Sequence, residues 1–486
     1  MQNQPDNLGS QKKLLFVGSE ATPFASTGGL GDVLGSLPAA LKRDDPTLDV
    51  RVVIPMYAQI TEKYKPLMEQ VCEFNVSLSW RQQYCGIWKF VKDDVTYYFI
   101  DNEYYFKRPS LYGSFDDGER YAYFCKAVLE MMPHIGFFPD VLHANDWQSA
   151  LSVIYLKRKY RYFDEYANIK AVYTIHNIEY QGIYGFEILS DIFCLDSWDR
   201  YVVEYDGCIN LTKGAIVCCD KLTTVSPNYA NEIQTEYFSG GLHYILSMNR
   251  GKISGIVNGI DYDYYNPETD PELKRHFSAE NQPPKSAAKA ALQEIFALPE
   301  RRDVPIVAMV SRLASHKGFD LVRRILEEMI TCEDMQFVLL GTGETDLEDY
   351  FAYMAGKYPD RIGVKLAFNK ALSKQIYAGA DIFLMPSKSE PCGLSQMIAS
   401  RYGAVPVVRE IGGLYDTIKP YNPETKLGNG ITFKTYNAHD MYDAVKRAIE
   451  LYHNKRQWKA LRTNAMTHDF SWSASAKEYI KMYESL

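Results

Sequence analysis

Short runs of apolar and β-branched residues alternate with longer amphipathic segments along almost the whole chain, and no other feature constrains the fold as strongly. This alternation is typical of parallel strands joined by crossover helices. Each half of the chain therefore predicts one doubly wound α/β sheet. The candidate strands are 13–18, 49–54, 95–100, 141–144, 171–175, 221–225 and 253–257 in the first half, and 305–311, 336–341, 363–367, 381–385, 406–409 and 430–433 in the second.

The two halves meet in a segment of different composition. Residues 258–300 are rich in Asp, Pro, Tyr and charged side chains, interrupt the strand and helix rhythm, and end in a predicted helix at 285–296. We place the domain junction near 255–261. Ligands of open α/β sheets bind outside the carboxyl ends of the strands, so two such domains facing a cleft are expected to hold a substrate between them.

Composition excludes several classes of protein. The 486 residues include 53 Lys and Arg against 61 Asp and Glu, a net charge of −8, and no basic tract appears, so we expect no nucleic-acid partner. No apolar run has the roughly 18 residues of a membrane span, so no membrane partner is expected. The nine cysteines show no CxxC spacing and predict reduced thiols, no zinc site and a cytoplasmic protein.

A glycine-rich loop follows the first candidate strand. Gly28, Gly29 and Gly31 precede or open an apolar helix, where free backbone N–H groups and the helix dipole favour an anion. The pattern is neither GxGxxG nor a Walker loop, which disfavours NAD or ATP chemistry. A tight turn without a ligand explains the glycines equally well, and Asp32 is then an ordinary acidic residue of the first helical turn.

Two loops of the second half carry charged groups directly after strands. Arg312 and Lys317 lie five residues apart near a helix start, and together they suit a diphosphate: Arg supplies a bidentate fork and Lys a mobile point charge. Glu390 stands before Pro391 in a second loop and can accept hydrogen bonds from sugar hydroxyls. Solvated surface cations are the alternative interpretation of the first loop.

Histidine lies at the ends of two candidate strands of the first half. His143 belongs to the run HANDW and His176 to the run TIHNI. A lone histidine after a strand is more often structural than functional, but polar groups at two strand ends of one sheet favour a site.

The motifs together resemble the bacterial glycogen synthase and plant starch synthase family of retaining glucosyltransferases. They occur in order from Thr27 to Trp472, and each alone is weak. The matching segments are TGGLGDV, HANDW, TIHNIEYQG, LTTVSP, IVNGID, SRLASHKGFDL, LLGTGE, PSKSEPCGL, GGLYDT and DFSW.

This resemblance implies the GT-B architecture, with two Rossmann-like domains facing a cleft. It implies an acceptor domain at 1–255, a nucleotide-sugar donor domain at 256–465, and a C-terminal helix at 466–486 that crosses back to the first domain. The implied reaction transfers glucose from a nucleotide-glucose, usually ADP-glucose, to the non-reducing 4-hydroxyl of an α-1,4-glucan such as glycogen with retention of configuration. Neither a metal nor another cofactor is expected.

The resemblance also implies roles for individual residues. Arg312 and Lys317 would grip the diphosphate and stabilise the departing nucleotide, and Glu390 would bind the glucose hydroxyls. The further residues implied near the reacting sugar are Asp32, Asp117 and His143. The further donor-binding residues implied are Gly28, Gly29, Asn258, Phe368, Cys392, Gly393 and Leu394, with the Phe368 ring against the nucleobase.

Three positions depart from the family pattern. Ser26 stands where the family usually has Lys, Asn145 where it usually has His, and Phe368 where it usually has Tyr. UDP-glucose therefore stays open as a second possible donor. Two further interpretations of the chain also stay open: a non-catalytic glucan-binding relative, and another GT-B enzyme such as a sucrose-forming or cell-wall glycosyltransferase.

Overall fold

The computed structural model describes residues 11–486 and divides the chain into two compact units. The first unit contains the residues up to Val225, then Ala230–Gly259 and Trp472–Leu486, and the second contains Ser226–Tyr229 and Ile260–Ser471. The chain therefore changes unit a few residues after the boundaries that we expected at 255 and 465. The last helix belongs to the first unit.

The first unit contains a nine-stranded sheet in the order β12-β11-β7-β6-β1-β2-β5-β4-β3. All neighbouring strands are parallel except in the pairs β3 with β4 and β4 with β5, which are antiparallel. A small antiparallel sheet has the order β8-β10-β9. The strands are β1 (Lys13–Val17), β2 (Asp49–Pro55), β3 (Glu69–Leu78), β4 (Arg81–Lys92), β5 (Val95–Asp101), β6 (Val141–Asn145), β7 (Lys170–Ile175), β8 (Ile183–Tyr184), β9 (Glu204–Tyr205), β10 (Cys208–Asn210), β11 (Lys221–Thr224) and β12 (Ile253–Gly255).

The second unit contains a six-stranded, entirely parallel sheet in the order β15-β14-β13-β16-β17-β18. The order reverses between β13 and β16, which makes their carboxyl ends the expected ligand site of this sheet. The strands are β13 (Ile306–Val310), β14 (Gln336–Leu340), β15 (Ile362–Lys365), β16 (Ile382–Met385), β17 (Val405–Arg409) and β18 (Ile431–Phe433).

The helices follow from amphipathic segments between the strands. In α12, for example, Phe319, Val322 and Leu326 are fully buried in the core of the second unit, while the opposite face is charged. The helices are α1 (Gly29–Asp44), α2 (Ala58–Lys63), α3 (Glu103–Phe106), α4 (Asp117–Ile135), α5 (Trp147–Arg158), α6 (Asp164–Ala167), α7 (Arg200–Val203), α8 (Leu211–Cys218), α9 (Pro227–Glu232), α10 (His243–Met248), α11 (Lys285–Ile295), α12 (Phe319–Cys332), α13 (Thr345–Lys357), α14 (Lys370–Gly379), α15 (Ser395–Arg401), α16 (Gly412–Thr417), α17 (Ala438–His453), α18 (Lys455–Thr467) and α19 (Trp472–Glu484).

The C-terminal helix α19 packs on the first unit through specific polar contacts as well as apolar ones. Ser473 Oγ donates to the carboxylate of Asp44 at the end of α1, at 2.8 Å. Ser475 Oγ donates to the carbonyl oxygen of Val257 at 2.6 Å. The helix is therefore an integral element of that unit.

The structure contains strands that the sequence pattern did not predict. β3 and β4 form an antiparallel hairpin at one edge of the large sheet, and the small sheet of β8, β9 and β10 is also additional. Many side chains of the hairpin are exposed, which dilutes its apolar pattern below that of a buried parallel strand. Among residues 11–486, no helix is long and apolar enough to cross a membrane.

Candidate active site

In the second unit, the loops after β13 and β16 lie side by side because these strands are neighbours in the sheet. Lys317 closes a 3₁₀ turn at Ser315–Lys317, and its Nζ lies 2.8 and 3.0 Å from the two carboxylate oxygens of Glu390. Ser387 Oγ donates to the same carboxylate at 3.0 Å. Lys317 is half-buried and Glu390 buried, so this ion pair is partly shielded from solvent.

Gly318 allows the close approach of these two loops. Its φ is +79°, and a Cβ at this position would lie 2.2 Å from the carbonyl oxygen of Pro386. The Lys388 N–H also donates to the carbonyl oxygen of His316 at 2.8 Å. The backbone itself therefore holds Lys317 against Glu390.

A third loop, after β17, packs on the other side of Glu390. The Gly413 N–H donates to the carbonyl oxygen of Glu390 at 3.0 Å, and a Cβ on Gly412 would lie only 1.9 Å from that oxygen. A Cβ on Gly413 would lie 2.2 Å from the carbonyl oxygen of Cys392. These glycines are required because the two backbones touch.

The turn Cys392, Gly393 and Leu394 directly precedes α15. Gly393 has a φ of +74°, and the Gln396 side chain donates to the carbonyl oxygens of Cys392 and Gly393 at 3.1 and 2.8 Å. The turn is therefore fixed by its own helix and lies beside the Glu390 loop.

Arg312 and Phe368 differ from these residues because both are exposed. Within the described part of the chain, the Arg312 guanidinium has no hydrogen bond or ion pair. The Phe368 ring, in the loop after β15, is 81% exposed. A cation and an aromatic face are thus accessible to a ligand at the carboxyl edge of this sheet.

In the first unit, Glu20 organises the glycine-rich loop. Its carboxylate accepts the Thr27 N–H at 2.6 Å, the Gly28 N–H at 3.2 Å and the Tyr112 hydroxyl at 2.6 Å. The Gly28 amide therefore donates to the protein, and its predicted contact to a ligand stays a prediction. Nothing in the described residues lies within 4 Å of a Cβ built on Gly28 or Gly29, so this face of the loop is open.

Asp117 is used by the protein itself. One carboxylate oxygen pairs with the fully buried Arg120, and the other accepts the Gly113 N–H at 2.8 Å. Arg120 also donates to the backbone carbonyl oxygens of Tyr105 and Leu111, at 2.7 and 3.2 Å. Asp117 thus holds the loop before α4, and the direct role predicted for it near the sugar stays a prediction.

His143 has the contacts of a structural residue. It is 1% exposed, its Nδ1 lies 2.7 Å from the Tyr483 hydroxyl of α19, and its Nε2 lies 2.6 Å from Thr174 Oγ1. Both ring nitrogens are therefore engaged inside the first unit. Both ring contacts are intramolecular, and the catalytic role predicted for His143 stays a prediction.

His176, rather than His143, lies at the carboxyl edge of the first sheet. Its Nε2 lies 3.0 Å from Asn145 Oδ1, and its backbone N–H donates to Asp146 Oδ1 at 2.7 Å. Burial raises the pKa of Asp146 to about 7 and lowers that of His176 to about 3. Asp146 has a φ of +57°, and such strained positions concentrate at functional sites.

Asn258 and Asp32 complete the predicted residues of the first unit. Asn258 is 5% exposed, and its Oδ1 receives no hydrogen bond from any residue of the described chain, an orphan acceptor that a ligand hydroxyl can satisfy. Asp32 lies in the first turn of α1 and is half-buried.

The ring contacts of His143 predict a dependence of stability on pH. Burial lowers the pKa of His143 to about 3, so the unfolded chain takes up a proton near pH 6.5 that the folded chain refuses. Stability should therefore fall as the pH falls from about 6.5 towards 3, by about 2 kcal/mol per histidine at pH 5.

Urea unfolding at pH 7.5 and pH 5 measures this effect. His143→Asn should reduce the loss between the two pH values, whereas His439→Asn, which changes an exposed histidine, should leave it unchanged. An equal loss in both variants would contradict the assignment.

Each unit brings together some of the site residues predicted from the sequence. The second unit groups Lys317, Glu390 and the turn that begins at Cys392. Sequence reasoning missed Glu20 as the carboxylate that fixes the glycine-rich loop. The only local signal was its position directly after β1, where an acidic residue is common in any α/β loop.

Two family models match the chain. The starch synthase catalytic domain matches residues 13–248, and the glycosyl transferases group 1 domain matches residues 292–465. The first match lies in the first unit, and the second lies in the second unit. Each match covers the loops described above for its unit.

Named relatives match over nearly the whole chain. Glycogen synthase from Geobacillus thermodenitrificans is 49% identical over 98% of both chains, and that from Ligilactobacillus salivarius is 48% identical over 98% of this chain and all of its own. The catalytic domain of starch synthase IV from Arabidopsis thaliana, bound to ADP and acarbose, has a TM-score of 0.89 and 32% identity, covering 98% of this chain and 99% of its own. The chain therefore belongs to the glycogen and starch synthase family of glucosyltransferases.

Proposed function

We propose that the protein is a glycogen synthase that transfers glucose from ADP-glucose to the non-reducing 4-hydroxyl of an α-1,4-glucan. The observation that carries this proposal is the Lys317 and Glu390 ion pair at the point where the strand order of the second sheet reverses. Arg312, which has no ion-pair partner among residues 11–486, lies in the same loop as Lys317. The names of the relatives and the ADP bound to the starch synthase support the donor and the acceptor.

The chemistry follows from where charge develops. Breaking the bond between the anomeric carbon and the diphosphate leaves positive charge on the sugar and negative charge on the leaving group. Arg312 and Lys317 place two cations in one loop, where they bind the diphosphate and stabilise it as it departs. Interactions that strengthen in the transition state raise the rate more than the affinity.

Glu390 has two roles in this proposal. Its carboxylate sets the position of the Lys317 ammonium, and its second function is to accept hydrogen bonds from the glucose hydroxyls. The buried environment strengthens both interactions. The turn at Cys392, Gly393 and Leu394 then lies beside the sugar and its phosphate.

Retention of configuration requires that the new bond form on the face from which the nucleotide leaves. The acceptor 4-oxygen bonds to the anomeric carbon, the bond to the diphosphate oxygen breaks, and the acceptor proton passes to that oxygen. The products are the glucan lengthened by one glucose and ADP. This scheme uses neither a metal nor another cofactor. We also propose that the protein is located in the cytoplasm.

The test is the release of nucleotide by purified protein with glycogen, comparing ADP-glucose with UDP-glucose at equal concentrations. We expect ADP-glucose to be strongly preferred, because the proposal treats Ser26, Asn145 and Phe368 as tolerated variants. The rate should be unchanged by EDTA.

Other outcomes would change the proposal in defined ways. A preference for UDP-glucose would contradict the donor assignment and keep the reaction. Nucleotide release with neither donor would contradict the proposed enzyme activity. Faster transfer to fructose than to glycogen would indicate a sucrose-forming enzyme instead.

A further inference from the structure

A cavity lies in the second unit, away from the loops described above. Its volume is about 330 Å³, and it is bordered by α11, α18 and the residues that precede β13 and β16. Asp381 directly precedes β16 and accepts the Ile306 N–H of β13 at 3.1 Å. The cavity thus lies at the amino ends of the strands, whereas the Lys317 and Glu390 loops follow their carboxyl ends.

The lining is strongly cationic in a chain whose net charge is −8. Two acidic side chains, Glu280 and Asp381, face six basic ones. The basic residues are Lys285, Lys289, Arg302, Lys455, Lys459 and Arg462. Such an excess around one concave site favours an anion.

Carboxylates compensate part of this positive charge, since Arg302 pairs with Glu300 at 3.3 Å and two further basic residues share one carboxylate. Asp381 serves both Lys289, at 2.8 Å, and Arg462, at 3.6 Å. Across the described residues, neither the exposed Lys455 nor the exposed Lys459 lies within 4.0 Å of a carboxylate oxygen. The buried Lys285 Nζ contacts carbonyl oxygens rather than a carboxylate, among them those of Ala378 at 2.6 Å and Tyr402 at 3.0 Å.

Two buried N–H donors of α18 lack acceptors. Trp458 lines the cavity and is 3% exposed, yet its Nε1 finds no acceptor in residues 11–486, and the same is true of Arg462 Nε. Buried donors are almost always satisfied, so an unsatisfied pair beside a cationic cavity indicates an acceptor supplied by a ligand.

We propose that this cavity binds a small ligand through a phosphate group. A phosphate carries about two negative charges and several acceptor oxygens, which matches the ammonium groups of Lys455 and Lys459 together with the unsatisfied Trp and Arg N–H donors. The exposed Lys455 and Lys459 form the mouth, and Trp458 lies in the buried floor beside Lys285 and Lys289, whose ammonium groups already bind protein acceptors. The volume accommodates a phosphate ester of a small molecule as well as the free ion.

The experiment titrates the full-length protein with inorganic phosphate and with glycerol 3-phosphate, at constant ionic strength, by calorimetry. The cavity variants are Trp458→Phe, which removes the Nε1 donor and keeps the ring, and the exposed double variant Lys455→Glu with Lys459→Glu. Lys446→Glu makes the same charge change on α17 outside the cavity. Lys317→Ala tests whether the phosphate binds instead at the loops of Lys317 and Glu390.

We expect the double variant to weaken binding at least about tenfold and Trp458→Phe to weaken it several-fold, while Lys446→Glu and Lys317→Ala retain it. Tighter binding of glycerol 3-phosphate would identify an ester as the ligand, and equal binding would identify the phosphate ion. The proposal is overturned if phosphate binding persists in the double variant or disappears in Lys317→Ala. It is also overturned if the heat of titration with phosphate does not exceed that with sodium chloride. None of these outcomes depends on glucosyl transfer.

Discussion

Lys317→Ala is expected to lower kcat with ADP-glucose and glycogen by about 10²–10³-fold, with a smaller change in KM. The ammonium acts on charge that appears only as the diphosphate departs, so its loss affects the transition state more than the bound donor. Glu390 also loses its ion-pair partner at 2.8 Å and keeps Ser387 as a hydrogen-bond donor at 3.0 Å.

Steady-state rates of nucleotide release at several donor concentrations separate the two effects. Lys388→Ala is the matched control, because this exposed lysine lies two residues before Glu390 in the same loop. It should retain nearly full activity. Full turnover by Lys317→Ala, in a variant with unchanged thermal unfolding, would contradict the role proposed for this lysine.

Gly318→Ala is expected to destabilise the second unit by about 2–5 kcal/mol and to reduce activity strongly. The alanine Cβ would lie 2.2 Å from the backbone carbonyl oxygen of Pro386, and the φ of +79° disfavours any residue with a side chain. The Pro386 carbonyl group belongs to the backbone and cannot rotate away from the new Cβ as a side chain can. The loops after β13 and β16 must therefore separate, which draws Lys317 away from Glu390.

Urea unfolding and nucleotide release together test this prediction. Gly356→Ala is the control, because this glycine lies in α13 with open space around its Cβ position. Alanine there should raise stability by about 0.5–1 kcal/mol and leave activity unchanged. If Gly318→Ala proved as stable and as active as Gly356→Ala, the contact with Pro386 would not hold the two loops together.

The sequence determined the parallel strands because their signal is local. Each of the predicted strands, from 13–18 to 430–433, corresponds to a strand of the structure within a few residues. A strand buried on both faces needs a continuous apolar run, as at residues 337–340. Such a run is visible in consecutive residues of the sequence. The family motifs likewise identify the loops of Lys317 and Glu390, since each occupies one short segment.

The edge hairpin β3–β4 escaped a prediction based on continuous apolar runs, because its apolar residues Phe74, Val76 and Leu78 alternate with polar ones, which is the period of a half-exposed strand. β3 is the last strand of the sheet, and β4 pairs with both β3 and β5. Whether such a segment pairs is decided by the strand beside it, and β5, which is parallel to β2 on one side, offers its other side to β4.

Tertiary structure alone decided which polar groups are free. His143 and His176 look alike in the sequence, yet His143 lies within β6 and is enclosed by Thr174 and by Tyr483, 340 residues away. His176 follows β7 and lies beside Asn145 at the sheet edge. The cationic cavity was equally hidden, because α11 and α18 contribute its lysines from segments far apart in the chain. Burial and pairing depend on what folds over a residue, and a sequence pattern records only what precedes and follows it.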